Sequence, residues 1–107
     1  MALVGTYSPL PVGGERVLSL DFTAELTAGD SVASATAAIV VSPVSQTSDP
    51  SAASLAIGSA TVTGNIVSQN VGGAGVPGVI YALIFTANTA KGETLIDFGR
   101  LSFTANG

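Results

Sequence analysis

The longest uninterrupted run of strand-forming residues spans residues 79–86, Val-Ile-Tyr-Ala-Leu-Ile-Phe-Thr. Gly78 stands directly before it, and Ala87-Asn88-Thr89 follows it. A short, continuously apolar run of β-branched and aromatic residues bounded by turn residues is typical of a strand buried on both faces. The pattern predicts that this strand lies at the centre of the fold.

Residues 17–23 alternate between apolar and polar side chains. Leu18, Leu20 and Phe22 fall on one face, and polar residues occupy the positions between them. Alternation with a period of two predicts a strand with one buried face. A turn is predicted after it, at residues 26–30.

A second alternating segment, residues 32–41, is rich in alanine. Its predicted apolar face carries Ala33, Ala35, Ala37, Ile39 and Val41. Alanine side chains bury little area each, so they allow the close approach of another sheet or another subunit.

The second half of the chain predicts further strands. A short strand is expected at residues 55–58 and a longer one at 60–70, with a kink or bulge near Gly64, where the apolar residues change face. Residues 88–93 predict a hairpin turn into a last strand, 94–104, antiparallel to the central one. On that strand Leu95, Leu101 and Phe103 share one face, and Ile96 and Phe98 share the other.

Short strands, turns about every ten residues and the lack of a helical period predict an all-β fold. We expect an immunoglobulin or fibronectin III-like antiparallel β-sandwich, with an antiparallel barrel as the alternative. A chain of 107 residues is long enough for one core and too short for two.

The chain divides into an extended N-terminal arm, residues 1–16, and a sandwich domain, residues 17–107. Pro9 and Pro11 disfavour helix in the arm. The apolar residues of the arm would pack on a neighbouring subunit or along the edge of their own sheet, or the arm would be a disordered tail. Its candidate contact residues are Leu3, Val4, Tyr7 and Leu10.

Residues 42–54 form the one long polar stretch, with two prolines and many serines, and predict a surface loop. Long loops in compact domains are often functional. We therefore take Val44, Gln46 and Asp49 as candidate contact residues, with a plain connector as the alternative.

Charged residues make up only 9% of the chain, compared with about 25% in typical globular domains. A surface made largely of Ser, Thr, Ala and Gly tolerates close packing against other chains, so we expect a homo-oligomer or a subunit of a larger assembly. A low-charge monomer is the alternative. Three scattered basic residues at a net charge of −4 predict no direct binding of nucleic acid. No apolar run approaches the ~20 residues of a membrane span, and no export signal is expected.

The residue inventory argues against an enzyme. Without histidine or cysteine, nucleophilic triads and the usual zinc sites cannot form. Paired carboxylates would remain, but Asp30 and Glu93 are expected in turns, and Asp21 and Asp97 on exposed strand faces. We predict no catalytic residue and no cofactor.

Single aspartates, with no calcium-loop spacing among them, also predict no metal site. The glycines at 72–75 lack a following lysine and a helix, so they do not indicate a phosphate-binding loop. Tyr81 is expected to anchor the core through its ring and to reach a backbone group with its hydroxyl.

One set of residues carries a family resemblance over positions 17–103. The chain resembles small immunoglobulin-like structural proteins of tailed bacteriophages in a strand that ends in Asp-Phe, a Leu-x-x-Gly-Asp turn and a glycine-rich approach to a central tyrosine. It departs from them at Ala38, where an aromatic residue is often found, and in the arm. The matching positions are Asp21, Phe22, Leu26, Gly29, Asp30, Val32, Ser34, Ala35, Ile57, Gly58, Val67, Gln69, Gly72, Gly73, Gly78, Tyr81, Gly92, Thr94 and Leu95.

The resemblance implies a non-enzymatic component of the virion, assembled in the host cytoplasm. On this resemblance, we first expect a capsid decoration or cement protein that binds the major capsid protein or other virion proteins and stabilises the head. The alternatives are a neck or tail component, or an Ig-like module displayed on the particle that binds host surface glycans.

Overall fold

The described part of the chain is built from β-strands. The computed structural model describes residues 2–45 and 47–105, and no α-helix occurs in these ranges, so none there could cross a membrane. Two short 3₁₀ helices lie at Thr23–Glu25 and Ala52–Leu55. The strands are β1 Ala2–Thr6, β2 Leu10–Pro11, β3 Glu15–Asp21, β4 Val32–Val41, β5 Ala56–Thr63, β6 Ile66–Gly72, β7 Tyr81–Thr89, β8 Thr94–Leu101 and β9 Phe103–Thr104.

Two sheets enclose the core. One has four strands in the order β1-β8-β7-β4, and the other has three in the order β3-β6-β5. Strands β2 and β9 form a short additional pair. All pairings are antiparallel except β1 with β8 and β2 with β9, which are parallel. The predicted all-β sandwich is confirmed.

Strand β7 lies inside the four-stranded sheet, between β8 and β4. Its inward side chains, Tyr81, Leu83, Phe85 and Ala87, are all buried. Alternate residues of β3 and β6 belong to the same core cluster, because apolar side chains at every second position of each sheet point between the sheets. The central strand is therefore where the sequence predicts it, although regular pairing begins at Tyr81 instead of Val79.

The predicted kinked strand at 60–70 is wrong. Gly64 and Asn65 form a tight turn, and Thr63 pairs with Ile66 across it, so β5 and β6 are the two arms of a hairpin. Gly64 has a φ of +61°, and no other residue type in the described chain has positive φ. A two-residue hairpin loop of type II′ has such a glycine at its first position. The irregularity of β5 falls instead between Ile57 and Thr61.

The predicted face of β4 needs one correction. The pairing of β4 with β7 shifts between Val32 and Ser34, which leaves Ala33 as an extra, exposed residue. Because of such an extra residue, the alternation of side chains between the two sides of the sheet changes phase at the bulge. Val32 therefore points into the core, and the predicted alternation holds only from Ala35 onward.

The N-terminal segment lies along the edge of its own sheet. Strand β1 pairs with β8, and β2 pairs with β9. The Tyr7 ring packs on Gly99, and its hydroxyl donates a hydrogen bond of 3.1 Å to the Ser19 carbonyl in the other sheet. The arm therefore packs along the edge of its own sheet, which is one of the arrangements that the sequence predicts for it. The predicted domain boundary after residue 16 stays a prediction.

Candidate interaction surface

The outward side of the four-stranded sheet is apolar where a solvated sheet would be polar. We call this surface the outer apolar face and define it by Val40 of β4, Ala82 and Ile84 of β7, and Ile96 and Phe98 of β8. A sheet with one side in the core normally carries polar residues on its other side. The inward positions of β7 already fill the core, and the outward apolar residues lie outside that core cluster.

The strand registers place these side chains in adjacent rows across the sheet. Ile84 lies opposite Phe98 on one side and opposite Ala38 on the other. Ala82 lies opposite Val40, and Thr86 lies opposite Ile96. Cross-strand neighbours of this kind are close enough to touch, so the residues form one continuous patch.

The patch is partly open to solvent, although Ala82 is only 4% exposed and Ile84 and Phe98 are half-buried. Val40 is 42% exposed, Ile96 is 41% exposed, and Val44, in the loop beside them, is 54% exposed. A groove of ≈ 320 Å³ at one end of the patch is lined by Val40, Pro43, Val44, Ile84 and Phe98, among others, and Ile96 lies outside it. A contiguous apolar surface of this kind is typical of a protein interaction site.

Arg100 is the only charged side chain in the row that borders this groove. It lies opposite Ala82 in the sheet and lines the groove with Val44. Its Nε atom is buried and has no hydrogen-bond partner within the described residues. A buried N–H without an acceptor costs free energy, so an acceptor supplied by a partner would stabilise a complex here.

The outward side of the three-stranded sheet is different. It exposes Val17, Ile57 and Ile66, but in the cross-strand rows these apolar side chains are separated by polar ones. Ser19 and Ser68 share a hydrogen bond of 2.8 Å, and the Asn70 amide donates to the Glu15 carboxylate at 3.2 Å. Of the two large sheet faces, the outer apolar face is therefore the better candidate for binding.

The structure places the predicted loop residues in three different situations. Val44 borders the outer apolar face. Asp49 is held inside the domain, where its carboxylate accepts hydrogen bonds from the Tyr81 hydroxyl at 2.7 Å and from the Ser51 amide at 2.9 Å. Gln46 lies outside the described residues. That these residues contact other virion proteins stays a prediction.

The four candidate residues of the arm also lie in different environments. Leu10 is 2% exposed and belongs to the core, and Tyr7 bridges the two sheets. Burial raises the pKa of Tyr7 to about 12. Leu3 and Val4 lie in β1, where Leu3 pairs with Phe98, but their side chains are outside the described part of the chain. Their contact with another protein likewise stays a prediction.

Asp97 was expected on an exposed strand face, and that expectation is wrong. It is 2% exposed and points inward from β8. Its neighbour is Glu25 of the first 3₁₀ helix. A hydrogen bond with Asp97, burial and charge repulsion from Asp97 raise the pKa of Glu25 to about 7. The alternation of period two predicts that Asp97 points inward, because Asp97 is in phase with Leu95 and Leu101.

This carboxyl pair offers no catalytic cleft. Glycosidase carboxylates stand roughly 5 to 9.5 Å apart so that a sugar or a water fits between them. Glu25 and Asp97 instead lie close enough for Asp97 to raise the pKa of Glu25, and Asp97 is 2% exposed, so a sugar could not reach its carboxylate. Within residues 2–45 and 47–105, no group of three or more Asp, Glu, His or Cys side chains is placed to hold a metal ion.

Residues 14–98 match the family described as podophage GP4 fiber-tail adaptor protein gp77. The chain belongs to this family. The match runs from just before β3 through most of β8, so it includes every strand that contributes to the outer apolar face. A comparison with curated proteins gives no match.

Membership in the gp77 family makes the chain a structural component of the virion, as the resemblance implied. The family is one of tail adaptor proteins, which are not known to be enzymes. It supports the tail alternative better than the first expectation of a capsid cement protein.

Proposed function

We propose that this chain is a tail-associated adaptor that joins a fiber to the tail of a podophage particle, and that it binds one of these partners through its outer apolar face. Two things support the proposal. The family is described by a fiber-tail adaptor, and the face has the apolar, exposed character of a binding site.

The observation that carries the proposal is the partly exposed apolar patch of β4, β7 and β8. Protein interfaces typically have a core depleted in charge and enriched in aromatic residues and arginine. Phe98 and Arg100 occupy neighbouring outward positions on β8, with Ile84 and Ala82 beside them on β7. We infer that the partner contributes an apolar surface with a carboxylate or carbonyl oxygen for Arg100.

We also infer that the sandwich has immunoglobulin-type connectivity. Strands β4, β7 and β8 are adjacent in the order that strands C, F and G have in immunoglobulin domains, and β3, β6 and β5 follow the order B, E and D. Under this assignment, the outer apolar face is the outward side of the C-F-G sheet.

A pair of matched substitutions tests the proposed function. Ile96→Asp places a charge in the outer apolar face, and Ile66→Asp makes the same change at an equally exposed position on the other sheet, since both isoleucines are 41% exposed. Each variant would be supplied in trans during growth of a phage that lacks this gene. We expect Ile96→Asp to yield particles deficient in fibers and at least tenfold reduced in titre, and Ile66→Asp to behave as the wild type.

The composition of purified particles provides the readout. Fiber-deficient tails with a correctly folded Ile96→Asp protein in the lysate would support the adaptor function. Normal fiber content in the Ile96→Asp particles would contradict it. Recovery of the wild-type chain with tail-less heads would instead support a function in capsid decoration.

A further inference from the structure

Arg100 differs from the other two basic residues of the chain in the hydrogen bonding of its side chain. The Arg16 guanidinium donates to the Ser8 carbonyl at 3.0 Å, and the Lys91 ammonium donates to the Ala28 carbonyl at 2.9 Å. The Nε atom of Arg100 is buried, and no group in the described part of the chain accepts its hydrogen. Because a buried donor without an acceptor lowers stability, such a group in a folded domain points to a function outside the fold.

The surroundings of Arg100 are apolar and contain no counter-charge. In the four-stranded sheet, Arg100 lies opposite Ala82 and two residues beyond Phe98 on the same strand. The groove that it lines is otherwise formed by apolar residues and one serine. The nearest carboxylate along the strand belongs to Asp97, which is buried on the inward side of the sheet. The positive charge of Arg100 is therefore uncompensated within this groove.

A partner that covers the outer apolar face would remove the Arg100 guanidinium from water. A buried charge is costly unless an opposite charge and hydrogen bonds compensate it. A carbonyl oxygen would accept a hydrogen bond but leave the charge uncompensated, whereas a carboxylate accepts two parallel N–H bonds from a guanidinium and cancels its charge. No hydrogen bond holds the Nε atom, so rotation of this long side chain can present the Nε edge to an incoming carboxylate.

We propose that the partner of the outer apolar face places an aspartate or glutamate side chain against Arg100, within an apolar surface that fills the groove. The inference rests on the proposed function in requiring that a protein covers this face. The groove continues into the sheet, because Val40, Ala82 and Ile84 belong to both the groove and the face. An acidic side chain within a continuous surface can pair with Arg100 while its neighbours cover these residues, and a chain terminus would end there.

The net charge of the chain makes this pairing a selective contact. Seven acidic residues against three basic ones give a net charge of −4, so the chain as a whole repels an acidic partner at long range. The residues that line the groove include no acidic side chain, so an arriving carboxylate meets no like charge there. Arg100 therefore selects its partner by direct contact rather than by long-range attraction, and a partner without the carboxylate would leave the guanidinium buried and unpaired.

Arg100→Met separates a binding function from a structural one. Methionine is unbranched and apolar and removes all the N–H donors. We expect the denaturation midpoint of this variant to equal or exceed that of the wild type, because the unpaired buried donor is absent. Its affinity for purified particles assembled without this chain should fall at least tenfold. Arg16→Met is the matched control and should bind these particles as the wild type does.

A zero-length cross-link identifies the group that contacts position 100. A carbodiimide joins a lysine amine to a carboxylate in contact with it and does not couple arginine. Arg100→Lys keeps the positive charge and would be supplied in trans during growth of a phage that lacks this gene, with Arg16→Lys as the control. We expect mass spectrometry to find an amide bond between position 100 and an aspartate or glutamate side chain of a tail or fiber protein. The control should give no such bond from position 16.

Three results would overturn the inference: an Arg100→Met protein that binds as tightly as the wild type, particles that contain Arg100→Lys but give no cross-link from position 100, or a cross-link to a chain terminus. If Arg100→Lys is not incorporated, the binding of Arg100→Met decides.

Failure of this inference and failure of the proposed adaptor function are distinguishable. Normal binding of Arg100→Met together with fiber-deficient Ile96→Asp particles would contradict the inference and leave the adaptor function intact. A cross-link from position 100 to an acidic side chain of the major capsid protein would support the inference and contradict the adaptor function.

Discussion

Tyr81 shows how one side chain organises several segments. Its ring is buried against Phe103, with ring centroids 5.6 Å apart and planes at 84°. Its hydroxyl accepts a hydrogen bond from the Val76 amide at 2.8 Å and donates one to Asp49. The predicted backbone contact of this hydroxyl is confirmed. The bond to Asp49 could not be predicted, because it joins residues 32 apart in sequence through a loop without a repeating pattern.

Glu25 and Asp97 give the domain a predictable response to pH. The pKa of Glu25 is raised from 4.5 to about 7 by its hydrogen bond with Asp97 and by burial. The folded state therefore retains a proton that the unfolded state has released, and stability decreases as the pH rises from about 4.5 to about 7. Below this window the contribution to stability is fully present.

We predict that Glu25→Gln removes this pH dependence, because a neutral amide can donate to Asp97 at every pH. We expect the difference in melting temperature, wild type minus Glu25→Gln, to decrease by a few degrees between pH 5 and pH 8. Glu15→Gln, a change at an exposed carboxylate, is the control and should leave the slope of the wild type unchanged. A Glu25→Gln protein with the wild-type slope would contradict the assignment.

Gly99 provides room for the Tyr7 ring. A Cβ atom at position 99 would overlap the ring at its Cε2 atom, and the hydrogen bond of the Tyr7 hydroxyl to the Ser19 carbonyl holds the ring in place. We predict that Gly99→Ala lowers stability by about 1–3 kcal/mol, in the range of other overpacking substitutions. Denaturant unfolding would measure the change.

The Tyr7→Ala background is the control for this prediction. There, Gly99→Ala should cost little, because the ring that it would meet is absent. A double-mutant cycle then gives a coupling free energy between the two positions. Additive effects would show that Tyr7 does not pack on Gly99.

At the scale of elements, periodicity predicted the strands whose environment is simplest. The continuous apolar run became β7, and the alternation of Leu18, Leu20 and Phe22 matches the buried face that begins in β3. The hairpin between β7 and β8 also lies where its turn residues indicate. In each case, the signal and the structure involve the same few neighbouring residues.

The errors at this scale arose where one residue changes the pattern. The pattern around Gly64 predicts a kink in one strand, but Gly64 begins the turn between two. The bulge at Ala33 shifted the face of β4. The parallel pairing of β1 with β8 joins segments at opposite ends of the chain, so no local pattern could predict it. The outer apolar face also depends on which strands are neighbours.

The turn at Gly64 yields a prediction for the β5-β6 hairpin. Gly64 has a φ of +61°, a conformation that is strained for a residue with a Cβ atom. We predict that Gly64→Ala destabilises the domain by about 1 kcal/mol, as is usual when alanine replaces a glycine with positive φ. Thr63→Ala, at the adjacent strand position, is the control for a change of side chain alone.

Chemical denaturation of the two variants would measure the effect. The midpoint should fall for Gly64→Ala with little change in the dependence on denaturant. Equal stability of Gly64→Ala and the wild type would mean that this turn is not held in the positive-φ conformation.

At the scale of the whole molecule, the low charge of the chain has a structural counterpart. The outer apolar face is uncharged, and Arg100 is the charged residue of the groove at its end. Composition alone indicated a subunit of an assembly. The arrangement of the strands shows which surfaces remain for partners after the core and the arm are packed.

The most direct test of the account is site-specific photo-cross-linking within assembled particles. A photoreactive phenylalanine analogue would replace Ile96 in the outer apolar face, and the same analogue at Ile66 would be the control. We predict that position 96 cross-links to a tail or fiber protein and that position 66 does not. Cross-linking of position 96 to the major capsid protein, or equal labelling from both positions, would contradict the claim that this face joins the fiber to the tail.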